Sequence, residues 1–330
     1  MASSRPTVLV TEPEYRKVEE LFTSVTDLEC LRAPDAEPEL ASAVLDARAT
    51  HVVVGLRTYA GPLYDALAPG GVIARFGVGH DGIDKTKATK ARLLCTNTPG
   101  VLDESVAEQT MLLIGAAARK LVPASTRMAR SDWRAETGND LRGKTLAIIG
   151  CGAIGRAVAR IASLGYGMRV VGLSKPGAPA RALEHFRAVT NDFAEAVRQA
   201  DFVSLHIPAN ERNIGFMNQE RLALLGPGTW LINTARGSVV DERALFDALA
   251  GGRLGGAALD VFVREPYVPA DARADLRSLP NVILTPHIGG NTVESNRRVA
   301  ERALRNITLA EKGDFARMDL LNPEVLKEST

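Results

Sequence analysis

Three side chains of complementary chemistry lie in short, separate segments of the chain: Arg236 in NTARG, Glu265 in VREP and His287 in LTPHIGG. A guanidinium is a planar fork suited to a carboxylate and its neighbouring carbonyl. An imidazole can give or take a proton near neutral pH, and a carboxylate bonded to it orients the ring and favours its protonated form. Upstream lies a glycine loop, GCGAIG, with Gly150, Gly152 and Gly155. A dinucleotide loop followed in order by an arginine, a carboxylate and a histidine implies hydride transfer to or from the carbonyl of an anionic substrate.

The glycine loop needs a strand before it and a helix after it. The run Thr145–Ile149 reads as the strand. Ile154, Val158, Ile161 and Ala162 share one helical face, and Gly165 is a C-terminal stop. In that setting the glycines allow a tight turn and close approach of a pyrophosphate, while the helix N-terminus supplies N–H groups. Arg156 reads equally well as a pyrophosphate contact or a solvated helix residue. Loops of this kind usually carry an acidic residue about 20 positions on, for the ribose 2′-hydroxyl. Here the second strand ends VVGLSK, with Ser174 and Lys175 and no carboxylate. A carboxylate beside a 2′-phosphate would cost on the order of 4 kcal/mol per charge pair. Its absence, with a hydroxyl and a lysine in place, favours NADP(H), NAD(H) being the other admissible cofactor.

The 330 residues suffice for roughly two domains. Lys+Arg is 40 and Asp+Glu 39, so there is no basic field for nucleic acid, and a substrate anion must be held by local groups. The apolar stretch Met111–Ala118 is far short of the roughly 20 residues that span a bilayer. MASSRPTVLV reads as the approach to a strand, not as a signal peptide. Cys30, Cys95 and Cys151 form no metal spacing and no disulfide framework, which points to a reducing cytoplasm.

Strands are predicted at Thr7–Val10, His51–Val54, Val72–Phe76, Leu94–Thr96, Thr145–Ile149, Arg169–Leu173, Phe202–His206, Thr229–Asn233 and Val282–Thr285. Most are unbroken apolar runs, as in parallel strands buried on both faces. Their alternation with helical patterns predicts an α/β fold. Breaks at Asn97-Thr98-Pro99-Gly100 and at Gly289-Gly290-Asn291 divide the chain. They predict a discontinuous outer, substrate domain (1–98 with 292–330) and an inserted dinucleotide-binding domain (99–291). A helix from Asp103 to Leu121, ended by Pro123, is apolar on most faces, which suits either burial or a homodimer interface. A last helix is predicted over Val293–Ala310. Trp133 is expected in a structural position ahead of the dinucleotide domain.

The ordered motifs FGVGHDGID (76–84), NTPGVLDESVAEQT (97–110), GCGAIG, SLHIP (204–208), LINTARGSVVD (231–241), GGAALDVFVREP (255–266) and LTPHIGG (284–290) resemble those of the D-isomer-specific 2-hydroxyacid dehydrogenase family over nearly the whole length. Within it the chain is similar to the glyoxylate/hydroxypyruvate reductase and phosphoglycerate dehydrogenase groups. The resemblance implies a doubly wound Rossmann dinucleotide-binding domain inserted in a smaller flavodoxin-like α/β substrate domain. It implies Arg236, Glu265 and His287 as the catalytic set, with Arg236 and His287 on the substrate and the backbone N–H groups of Val78 and Gly79 on its carboxylate. Ala153 and Ile154 would line the pyrophosphate, Ile207 and Pro208 the adenosine side, and Asn213, where family members often have a threonine, would be a further cofactor contact. Thr234, Ala235 and Asp260 would lie near the nicotinamide. The activity expected is interconversion of a small 2-oxo acid and its D-2-hydroxy acid, with reduction of glyoxylate or hydroxypyruvate by NADPH as the leading form. NAD-linked oxidation of a phosphoglycerate-like or sugar-acid substrate is the alternative, and a dinucleotide-sensing corepressor-like scaffold a third.

Overall fold

A computed structural model describes residues 5–175 and 184–327. The chain divides into two compact units, Met1–Leu102 with Gly290–Thr330, and Asp103–Gly289. Each is built on one parallel sheet with helices, an α/β architecture.

The first unit holds β1 (Thr7–Thr11), β2 (Glu29–Ala33), β3 (His51–Val54), β4 (Val72–Arg75) and β5 (Leu94–Thr96), in the order β2-β1-β3-β4-β5. This is the flavodoxin-like order. Strands β3, β4 and β5 are buried along their whole length, as fits the Val- and Ile-rich runs of β3 and β4 and the Leu-Cys-Thr of β5. The chain returns to this unit through the helix Val293–Glu311, one residue longer than predicted. Thr292 and Ser295 cap its start reciprocally, and Val299, Ala300, Ala303, Leu304 and Ile307 pack it against the core.

The second unit holds β6 (Thr145–Ile149), β7 (Arg169–Leu173), β8 (Ala188–Thr190), β9 (Phe202–Leu205), β10 (Trp230–Asn233), β11 (Gly256–Leu259) and β12 (Val282–Leu284). Their order is β12-β11-β10-β9-β6-β7-β8. Counted from β6, the first six follow the doubly wound 3-2-1-4-5-6 pattern, and the order reverses between β6 and β9. Ligand sites in such sheets form at the carboxyl ends of the strands beside that reversal.

Three strands escape the apolar-run criterion. Strand β2 (ECLRA) is an edge with mostly exposed residues, β8 is a three-residue edge, and β11 is Gly-Ala-Ala-Leu, small enough to pack closely but weak in strand propensity. The helix predicted from Asp103 to Leu121 ends at Ala118, and Lys120 turns the chain through a left-handed φ of 51°. A second helix, Leu121–Met128, follows. Pro123 lies in its first turn, where a missing N–H costs nothing, so proline begins this helix instead of ending the previous one. Trp133 is 83% exposed and belongs to no core of the described chain, contrary to the structural position expected for it. Among the described residues no helix is long and apolar enough to cross a membrane.

Candidate active site

Arg236, Glu265 and His287 all follow neighbouring strands of the second unit. Arg236 comes three residues after β10, Glu265 in the loop after β11 and His287 three residues after β12. The turn after β10 is held by Asn233, which is buried. Its Nδ2 donates to the Arg236 carbonyl at 2.9 Å and its Oδ1 accepts from the Ala235 amide at 3.0 Å. Thr234 Oγ1 and Thr110 Oγ1 lie 2.9 Å apart, tying the turn to the helix Asp103–Ala118. Gly237 is the residue the packing demands: a Cβ there would fall 1.9 Å from the carbonyl carbon of Phe262. The turn carrying Arg236 can therefore lie flat against the loop that carries Glu265. Arg236 is half-buried, and its Nη1 donates to the Ala235 carbonyl at 2.6 Å.

Glu265 is anchored at both oxygens. Oε1 accepts from the Phe262 amide at 2.9 Å, and Oε2 lies 2.7 Å from His287 Nδ1. Burial works to raise the pKa of this carboxyl group. The hydrogen bond and charge of His287, the Phe262 amide and the charge of Arg236 outweigh it and hold the group below the ordinary carboxylate value. An ionised carboxylate can only accept, so a neutral His287 ring carries its proton on Nδ1 and leaves Nε2 for chemistry.

His287 itself has φ of 53°, in the left-handed region. Such a conformation persists only where neighbours over-determine it. Asp260, 1% exposed at the end of β11, does so. Its Oδ1 accepts from Thr285 Oγ1 at 2.5 Å and the Ile288 amide at 2.9 Å. Its Oδ2 accepts from the Gly289 amide at 2.7 Å, and its backbone carbonyl from the His287 amide at 2.8 Å. Nothing in the pattern of the sequence indicates this bracing, because it depends on β11 and β12 being neighbours.

The glycine loop lies at the reversal of strand order. Gly150 has φ of +105°, and a Cβ there would meet the His206 carbonyl at 2.5 Å. A Cβ on Gly155 would fall 2.1 Å from the Gly150 carbonyl. A Cβ on Gly152 would meet nothing within 4 Å. Gly150 and Gly155 thus fold the turn onto the helix Ala153–Arg160, while Gly152 keeps open the space before its N-terminus. No side chain caps that helix start. This is a cradle shaped for a pyrophosphate, and the residues fit a dinucleotide. Ala153 is exposed and Ile154 half-buried in the first helical turn. Arg156 Nη1 donates to the Cys151 carbonyl at 3.0 Å, bracing the loop from the helix. Beyond β9, Ile207 is half-buried and Pro208 exposed, and Asn213 Nδ2 donates to the Pro208 carbonyl at 2.9 Å. His206 hydrogen-bonds Ser204 Oγ at 2.8 Å, and burial pushes its imidazole down to about 4, keeping it neutral. Beyond β7, Ser174 is half-buried with its amide donating to the Thr190 carbonyl at 3.0 Å, and Lys175 is exposed.

In the first unit, Val78 and Gly79 lie in the turn that follows β4, both half-buried. No acceptor among the described residues meets the N–H of either.

A glycine cradle at the reversal of a doubly wound sheet, with an arginine, a carboxylate and a histidine on the next strand ends, defines a nicotinamide-dinucleotide oxidoreductase. Residues 111–289 match the model of the D-isomer specific 2-hydroxyacid dehydrogenase, NAD binding domain. A glyoxylate reductase of Thermococcus litoralis is 38% identical over 267 residues, which cover 78% of each chain. A crystal structure of an NADPH-dependent glyoxylate/hydroxypyruvate reductase from Sinorhizobium meliloti, with NADP and malonate, is 31% identical with a TM-score of 0.78 over 93% of each chain. D-lactate dehydrogenase from Aquifex aeolicus, complexed with NAD and lactic acid, is 27% identical with a TM-score of 0.81, covering 96% of this chain and 99% of that one. The chain belongs to the D-isomer specific 2-hydroxyacid dehydrogenase family.

Proposed function

We propose that the chain reduces small 2-oxo acids of the glyoxylate and hydroxypyruvate type to D-2-hydroxy acids, with NADPH as the preferred reductant. The observation that carries this reading is the His287–Glu265 pair at 2.7 Å, on a turn pinned by Asp260 and beside a loop that carries Arg236. When bound, the nicotinamide dinucleotide supplies the hydride. His287 holds the proton at Nε2 and gives it to the substrate's carbonyl oxygen, taking it back in the oxidative direction. Glu265 fixes the ring through Nδ1 and balances its charge. The guanidinium of Arg236 grips the carboxylate and carbonyl of the substrate as a fork. In the first unit, the amides of Val78 and Gly79 take a carboxylate. That unit is the substrate domain and Asp103–Gly289 the dinucleotide-binding domain.

The cofactor is proposed to lie along the cradle of Gly150, Gly152, Ala153, Ile154, Gly155 and Arg156. Ile207 and Pro208 serve its adenosine side, Asn213 is a further contact, and Thr234, Ala235 and Asp260 serve the nicotinamide side. NADP(H) is preferred because β7 is followed by Ser174 and Lys175, which can meet a 2′-phosphate without an opposing carboxylate. The family contains proteins described with either NADP or NAD. A homodimer accords with the exposed apolar side chains Leu112, Leu121, Val122, Met128 and Trp133, and light scattering should report a particle of two chains. Three free cysteines accord with a reducing, cytoplasmic setting.

The test is a panel of 2-oxo acids with NADPH and NADH. Turnover should be highest for glyoxylate or hydroxypyruvate with NADPH. His287→Ala should lose roughly 10²–10⁴-fold in kcat with dinucleotide affinity unchanged. Near-native turnover in that variant, or a strong NADH preference in the parent, would overturn the corresponding part of the proposal.

A further inference from the structure

The turn after β4 is pinned by its carbonyls. The Phe76 carbonyl accepts from the buried Arg75 guanidinium. The Gly77 carbonyl accepts from the Thr98 amide at 3.1 Å, and the Val78 carbonyl from Asn97 Nδ2 at 2.7 Å. In a trans peptide the C=O of one residue and the N–H of the next point in opposite directions. Pinning the Gly77 carbonyl therefore aims the Val78 N–H, and pinning the Val78 carbonyl aims the Gly79 N–H. The amides proposed to take the substrate carboxylate owe their direction to Thr98 and Asn97.

Asn97 is in turn held from the C-terminal segment. Its carbonyl accepts from Asn306 Nδ2 at 3.1 Å, and its amide donates to the Asp319 carbonyl at 3.4 Å. Asn306, fully buried, also donates to Asp319 Oδ2 at 3.1 Å and accepts the Asp319 amide at 3.0 Å. Arg302 forks onto the Asp319 carboxylate at 2.6 and 2.7 Å. A polar chain thus runs from Arg302 through Asp319 and Asn306 to Asn97 and the Val78 carbonyl. Such a network, buried at Asn306 and Asn97 and part-buried at Asp319 and Arg302, favours one geometry, because an unmade bond at its buried end is costly.

We propose that Asn97, clamped by Asn306 and Asp319, is a positioning residue that aims the Gly79 amide at the substrate carboxylate, so that the C-terminal segment tunes substrate affinity. This rests on the reading of the Val78–Gly79 turn as the carboxylate site.

The experiment measures KM for glyoxylate, Ki for oxamate (an unreactive 2-oxo acid analogue), kcat and dinucleotide Kd in the full-length chain. Asn97→Ala should raise KM and Ki together by roughly tenfold, with kcat within about threefold and the dinucleotide Kd unchanged. Asn97→Asp keeps the volume but sets oxygen against the Val78 carbonyl, and should raise both at least as much. Asn306→Ala should act in the same direction, less strongly. A purely packing role would lower the melting temperature without separating KM from kcat. Equal KM and Ki in parent and folded Asn97 variants would overturn the proposal, as would kcat and dinucleotide Kd worsening together. If neither Asn97 variant folds, Asn306→Ala decides by the same criterion. A parent that turns over no 2-oxo acid and binds no oxamate defeats the underlying reading and this inference with it. A competent parent with indifferent variants defeats only the inference.

Discussion

Replacing Asp260 with asparagine changes one oxygen to an NH₂ group and removes a buried charge that accepts three hydrogen bonds. The amide oxygen can stay at the Oδ1 position and keep Thr285 Oγ1 and the Ile288 amide. The new NH₂ then faces the Gly289 amide, donor against donor, where the bond was 2.7 Å. A hydrogen bond to a charged group is worth about 1.5–3 kcal/mol, and the two retained bonds weaken as well. A loss of about 2–3 kcal/mol follows, felt where the turn holds His287 at φ 53°. If that loss falls wholly on the transition state, kcat drops roughly 30- to 150-fold. The assay is steady-state reduction of glyoxylate at saturating dinucleotide, beside dinucleotide Kd from fluorescence titration and a thermal melt. The expected pattern is a kcat loss of that size that exceeds any loss in dinucleotide affinity, since Asp260 is also proposed on the nicotinamide side. A variant with lowered melting temperature but unchanged kcat would show that Asp260 supports the fold and not the histidine. An equal loss in dinucleotide affinity would show that it acts through the cofactor.

Glu265→Gln removes the group whose carboxyl lies below its ordinary value in the folded chain. Where native pKa is lower than unfolded pKa, the unfolded chain binds more protons between the two values, and stability rises with pH there. That contribution is full above the unfolded value near 4.5 and is lost as pH falls through the lowered native value. Urea unfolding between about pH 3 and pH 6 should show a shallower pH dependence in the glutamine variant, and identical slopes would contradict the assignment. The glycine loop offers a paired test. Gly152→Ala, with open space at its Cβ, should leave the apoprotein melt unchanged yet weaken dinucleotide binding. Gly150→Ala, at φ +105° and against the His206 carbonyl, should lower the melt itself. Equal melting temperatures for the two variants would contradict that reading of the cradle.

The parallel core strands were legible because most are largely apolar runs, buried on both faces over most of their length. Strand β11 was not, because Gly256, Ala257 and Ala258 carry no β-branched signal, and their place is set by close packing between β10 and β12. Edge strands β2 and β8 lack the apolar run for the opposite reason: little covers them. At Pro123 local chemistry was read in the wrong direction, since proline is as acceptable in a first turn as after a last one. In the site, residue types and motif order pointed to Arg236, Glu265 and His287. What escaped the sequence were the bonds to backbone: those of Asn233 to the Ala235–Arg236 turn, of Asp260, named only for the nicotinamide, to the His287 turn, and of Asn97 to the Val78 carbonyl. Their partners are backbone amides and carbonyls, close by for Asn233 and distant in sequence for Asp260 and Asn97, which carry no residue signature.

Placing Arg236, Glu265 and His287 on successive strand ends of one compact unit has a consequence for redesign. The proposed acid–base set and its braces at Thr110, Asn233 and Asp260 lie in one continuous stretch of chain. The other unit, built from the residues on either side of that stretch, is the part proposed to shape what the site admits. Laboratory diversification confined to residues before Asp103 and after Gly289 should therefore yield new preferences among acids at undiminished acid–base competence.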